Sequence, residues 1–175
     1  MKAAGLFPAV AFALLTALCA QVAVPMAPVP MTLQTFAILM GGVLLGPVWG
    51  GGAALIYLAM AAAGLPVLSD GAGGLASFSG PTAGYLVAFP IAAALAGLLA
   101  QRTKGLVALT AGLFGLHLLI LALGAGWLAT KIGVEAAIEH GVTPFLIGAA
   151  VKSAMVALIG FLALRRASGR RVKRG

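Results

Sequence analysis

No charged side chain interrupts the chain between Lys2 and Asp70, a stretch of 67 residues. Ordinary soluble proteins carry about a quarter charged residues. Here charged residues are 8% against 62% hydrophobic, and the mean hydropathy is +1.15. Such a chain cannot supply a water-facing exterior, which excludes a soluble enzyme and a disordered tail. Two further gaps follow, of 31 residues between Asp70 and Arg102 and of 26 between Lys104 and Lys131. A spanning helix takes about 20 apolar residues. Runs such as residues 91–100 (IAAALAGLLA) lack the period-two alternation of a membrane barrel strand. The expected fold is therefore an all-α membrane protein of about six transmembrane helices, one membrane-embedded domain over residues 1–175 with a basic tail at 165–175.

Gly and Pro divide the long gap. A first segment covers about residues 6–24, and the Pro-rich stretch 25–30 cannot continue it. Segments at 31–45 and 48–63 flank a Gly46-Pro47 turn. Both are short, so they either cross a thinned region or form a re-entrant hairpin. A glycine-rich loop of about 20 residues, 64–83, leads to segments at 84–100, 106–129 and 142–164. Unstructured loops of that length are uncommon and usually functional.

Charge sets an expected orientation. With the N-terminus inside, Lys2, Arg102, Lys104, Arg165, Arg166, Arg170, Arg171, Lys173 and Arg174 all lie inside. Lys131 and all three acids, Asp70, Glu135 and Glu139, lie outside. This is a strongly positive-inside arrangement, and it places both termini in the cytoplasm. Residues 1–24 have an apolar run like a signal peptide but no clean small-residue cleavage site, so they are read as retained. The basic excess is topogenic and lipid-facing, not a nucleic-acid footprint.

Lys152 is the residue most in need of explanation. It falls about 13 Å along the last segment from Thr143, where a lysine costs about 2.5–3.5 kcal/mol on insertion scales. The membrane segments hold no Asp or Glu. Its partner is an acid of the outer loops or an anionic ligand, most simply a carboxylate; the competing reading is snorkelling to the surface. The three outer connections hold the polar and glycine-rich material, so a small, partly apolar ligand is expected there. Gln34, Thr35, Ser69, Asp70 and Tyr85 are candidate polar contacts, with the backbone at Gly71, Ala72, Gly73 and Gly74. Phe78 and Ala149 belong to the same candidate set. Trp127 is either an interfacial anchor or a pocket cover. Ala9, Ala13 and Ala17 form a small-residue stripe, read either as docking to another membrane protein or as packing within the chain. His117 reads as an interior histidine before a proton relay.

The one cysteine, Cys19, excludes an internal disulfide. No phosphate-binding G-x-x-x-x-G-K-[ST], G-x-S-x-G or H-E-x-x-H motif occurs, and three acids are too few for an acidic metal site. No metal and no cofactor are expected, and the chain is not expected to be an enzyme.

Residues 28–36 (PVPMTLQTF), 63–67 (AGLPV), 73–75 (GGL) and 80–85 (GPTAGY), with Pro144-Phe145-Leu146, Gly148 and Lys152, resemble the motifs of the BioY family. The resemblance covers essentially the whole chain. It implies the S-component fold of energy-coupling factor (ECF) transporters, and high-affinity capture of biotin for uptake across the bacterial cytoplasmic membrane. It also implies two kinds of partner, a transmembrane coupling subunit and a pair of cytoplasmic ATPases, with the Ala9, Ala13 and Ala17 stripe as docking surface. Many family members carry Asp after the sixth-helix Gly and Asn between the loop glycines; this chain has Ala149 and Ala72 there. Two other readings remain: a stand-alone or oligomeric facilitator of biotin or another small carboxylate, and an intramembrane enzyme using His117 or Lys152.

Overall fold

The computed structural model describes residues 5–172, with side chains through Arg165. Lys2, residues 173–175 and the tail side chains from 166 onward, to which the sequence assigned an inside location, lie outside what is described. Helix α1 (Leu6–Gln21) carries Pro8 in its first turn, where the missing N–H has no helical partner to lose. Two short strands follow, β1 (Ala23–Val24) and β2 (Met31–Thr32). They pair antiparallel, Ala23 with Thr32 and Val24 with Met31, and so close the Pro-rich stretch into a hairpin. No sequence periodicity announced this pair, because two residues per strand are too few to alternate.

Helix α2 (Gln34–Ala62) is a hairpin of two arms, 34–45 and 47–62, reversing at Gly46 (φ 79°, ψ 178°). Gly46 supplies the positive φ, and Pro47 starts the second arm at the position where proline costs nothing. The geometry leaves no doubt about the reversal. Gln34 Nε2 donates to Tyr57 Oη at 2.7 Å, whereas 23 residues of straight helix would separate them by roughly 34 Å. The arms approach through glycine: a side chain on Gly50 would overlap the backbone of Gly42. The Gly46-Pro47 turn expected from the sequence is present, common to both options left open by the short segments.

Helices α3 (Ala83–Arg102) and α4 (Leu106–Ile132) form the next antiparallel pair. Gly133 ends α4 with φ 87° and ψ 160°, a conformation that glycine adopts at no steric cost. A short surface helix, α5 (Val134–Gly141), occupies the third connection, and α6 (Phe145–Val172) ends the described chain. α3, α4 and residues 145–165 of α6 each have the length and apolarity to cross a membrane as single helices, while α1, at 16 residues, and each arm of the α2 hairpin are shorter.

The Gly46-Pro47 turn lies against Gly97 near the end of α3, beside Gln101. Gly5 packs on the Trp49 ring, and Gly160 of α6 packs on Val43. The start of α1, the later part of α6, the α2 turn and the α3–α4 turn therefore share one end of the bundle. The β hairpin, residues 64–83 and α5 gather at the other. The core between them is built from Leu39, Tyr57, Leu109, Leu113, Ile120, Leu128 and Val156, all 2% exposed or less.

The small-residue stripe on α1 turns toward the rest of the chain. Ala9 and Ala13 are fully buried and Ala17 partly so, packed within the chain together with Thr16 and Ala20. The outward surface of α1 is Phe7, Val10, Leu14 and Leu18 instead. In this conformation the alanines serve close helix packing, and a partner would meet large apolar side chains.

Candidate functional site

A cavity opens between α2, α3, α4 and α6 at the loop-bearing end. Its polar lining is Thr32, Gln34, Thr35, Ser69, Thr82, Tyr85, His117 and Lys152; its apolar lining is Val29, Pro30, Leu68, Leu86, Phe89, Ile120, Leu121, Phe145 and Ala149. The volume open to water centres is about 70 Å³. At about 10–15 Å³ per water, that is space for several waters and not a packing flaw.

Lys152 is 9% exposed and enters the cavity from α6. Its Nζ donates to the Thr32 carbonyl of β2 at 3.1 Å, the one partner it has among the described residues. An ammonium carries three donors, so two remain for a ligand. No Asp or Glu lines the cavity. The site therefore holds an unneutralised cation in low-dielectric surroundings, the setting in which an anion is bound most strongly. Snorkelling to the surface is ruled out by the burial.

Gln34 and Tyr57 form a second polar unit. Thr32 Oγ1 donates to Gln34 Oε1 at 3.2 Å, and Gln34 Nε2 to Tyr57 Oη. The Tyr57 hydroxyl in turn donates to the Val67 carbonyl at 3.1 Å. Gln21 Nε2 reaches the neighbouring Leu68 carbonyl at 2.9 Å. The two helices thus pin the start of the second loop beside the cavity, where Leu68 and Ser69 line it.

Tyr85 faces the cavity with its ring, but its hydroxyl is spent on the Gly141 carbonyl at 2.8 Å. That bond ties α3 to the end of α5. Gly124 makes room for the ring, since any side chain there would overlap it. Trp127 is 37% exposed, and its Nε1 donates to the Gly80 carbonyl at 2.8 Å, with Lys131 over the ring at 5.2 Å. Trp127 anchors the second loop and does not line the cavity.

His117, 3% exposed, joins three elements. Its Nε2 meets Thr35 Oγ1 at 3.2 Å, and its Nδ1 meets Ser153 Oγ at 2.9 Å and the Leu113 carbonyl at 3.3 Å.

Of the thirteen residues expected at the ligand, the structure brings Gln34, Thr35, Ser69, Tyr85, Ala149 and Lys152 to the cavity. Asp70, Gly71, Ala72, Gly73, Gly74, Phe78 and Trp127 stand outside its lining. Asp70, Gly71 and Ala72 are exposed on a turn whose Asp70 has φ 57°. Gly73 lies on the Leu65 backbone, and Phe78 packs against the core. The apolar walls and His117 were not expected there. Sequence alone offers little signal for them, because wall and lipid-facing positions are apolar alike.

Comparison with known proteins places this geometry. The chain is 41% identical over 159 residues to the probable biotin transporter BioY of Pyrococcus horikoshii, covering 91% of this chain and 95% of that one. It is 39% identical over 143 residues to the biotin transporter BioY of Rhizobium etli, covering 76% of each chain. Its fold superimposes on the crystal structure at 2.1 Å of the S-component for biotin from an ECF-type ABC transporter. The TM-score is 0.84 at 28% identity, over 95% of both chains. Residues 1–170 match the BioY family, and the chain belongs to it.

Proposed function

We propose that this chain is the biotin-capturing, substrate-specific subunit of an ECF-type transporter, a single membrane-embedded unit that takes biotin from outside the cell. The observation that carries the reading is the buried, acid-free cavity with Lys152 at its wall. Biotin pairs one carboxylate with a largely apolar side chain and a polar ring system, and the cavity offers one ammonium, apolar walls and neutral hydrogen-bonding groups. Lys152 holds the carboxylate, while Gln34, Thr35, Ser69 and the Tyr85 ring surround the rest. The exposed turn at Asp70, Gly71 and Ala72, with Gly73, Gly74, Phe78 and Trp127 holding the second loop in place, acts as cover.

The loop-bearing end faces outward and both termini lie in the cytoplasm. The supporting observation is that Arg102, Lys104 and Arg165 sit at the opposite end from Asp70, Glu135 and Glu139. The setting is the bacterial cytoplasmic membrane. The chain carries no nucleotide-binding motif, so uphill uptake draws on a transmembrane coupling subunit and cytoplasmic ATPases. Titration of the purified protein with biotin in detergent or nanodiscs tests the reading. Saturable binding of one biotin per chain supports it; absence of binding, with the protein folded, refutes it.

A further inference from the structure

His117 is fully enclosed at the junction of α2, α4 and α6, and the hydrogen-bond directions around it can be worked out from its neighbours. The Leu113 carbonyl at 3.3 Å from Nδ1 can only accept. The Ser153 hydroxyl gives its proton to the Ala149 carbonyl at 2.7 Å, so it too meets Nδ1, at 2.9 Å, as an acceptor. Both contacts require a proton on Nδ1. In a neutral imidazole Nε2 then carries the lone pair. Thr35 Oγ1, 3.2 Å from Nε2, must donate to it. The only proton of the Thr35 hydroxyl is thereby turned away from the cavity that Thr35 lines, and its oxygen lone pairs remain.

We propose that Thr35 is a one-directional hydrogen-bond acceptor in the cavity wall, set in that sense by His117 and Ser153, and that it selects ligands presenting an N–H group there. The proposal rests on the biotin reading above, since the cyclic urea of biotin supplies two such N–H groups. His117 and Ser153 are positioning residues in this scheme. A site built to take a hydrogen bond rejects the analogue that lacks it, because a buried acceptor is then left unpaired.

Two measurements test it. In protein ¹⁵N-labelled at histidine, with His140→Gln for assignment, the expected His117 signals are those of the Nδ1–H tautomer. The Nε2–H tautomer overturns the proposal, because the Thr35 proton would then be free for the cavity. The second measurement compares biotin with derivatives methylated at one or the other urea nitrogen. The wild-type protein is expected to reject one isomer by about tenfold or more; Thr35→Val removes that discrimination and Thr35→Ser keeps it. Discrimination undiminished in Thr35→Val overturns the proposal. Should the folded wild type ignore biotin altogether, the functional reading fails, while the tautomer still decides which way Thr35 points.

Discussion

The Tyr85 hydroxyl donates to the Gly141 carbonyl at 2.8 Å, joining the first turn of α3, whose Tyr85 lines the cavity, to the end of α5. Tyr85→Phe keeps the ring and removes this bond, leaving a carbonyl unpaired. Such a loss costs about 1–3 kcal/mol when the group stays buried. The expected result is biotin dissociation faster by roughly 5-fold to 100-fold, together with faster amide exchange at residues 134–145. A variant that matches wild type in both would show that α5 is held by other contacts.

Lys152 is assigned to a carboxylate, and the assignment can be separated from a merely structural role. Biotin methyl ester lacks the charge. Wild type should bind the ester more weakly than biotin by about 10-fold to 100-fold, in line with about 1.5–3 kcal/mol for a charge-assisted bond. In Lys152→Met the two ligands should bind alike. A gap that persists in Lys152→Met would place the carboxylate elsewhere.

Gly124 and Gly126 lie two residues apart on α4 in opposite circumstances. A methyl group on Gly124 overlaps the Tyr85 ring, whereas nothing lies within 4 Å of one on Gly126. Gly124→Ala should lower thermal stability in detergent by about 1–3 kcal/mol and weaken biotin binding by displacing the ring. Gly126→Ala should be neutral or stabilising by about 1 kcal/mol through helix propensity. Equal effects would contradict the close packing of α3 on α4.

The α2 hairpin has a similar internal control. Gly50→Val places a side chain into the Gly42 backbone and should abolish stable folding or sharply reduce the yield of monodisperse protein. Gly52→Ala meets open space and should be tolerated. Comparable thermal unfolding midpoints for the two variants would count against the crossing of the arms.

Much of the architecture was legible because membrane segments obey a simple rule. Gly46-Pro47 and the charged turn at Arg102 and Lys104 mark real reversals, since Gly46 takes a positive φ that leaves the helix and charges are costly within lipid. Lys152 stood out for the same reason. Other features were hidden. Phe89 and Leu121 line the cavity while Leu95 and Leu123 do not, yet all four are apolar, and a chain apolar inside and out gives periodicity little contrast. The α1 stripe was ambiguous for a related reason: small residues allow close approach to any helix, and here α2 takes that place. The glycines after Asp70 suggested backbone contact with a ligand; in this structure Gly71 belongs to an exposed turn and Gly73 lies on the Leu65 backbone. The role of His117 depends on Thr35 and Ser153, which are 82 and 36 residues away along the chain.

The tie from the Lys152 ammonium to the Thr32 carbonyl has an effect beyond the pocket. Thr32 is paired with Ala23, so the same amine steadies the strand ladder that forms part of the exterior. With one of its three donors on the ladder and, among the described residues, two free, the amine links the cavity directly to that ladder. A ligand that drew the ammonium off the Thr32 carbonyl would loosen this ladder at the loop-bearing end, where a conformation-selective antibody fragment could read the difference.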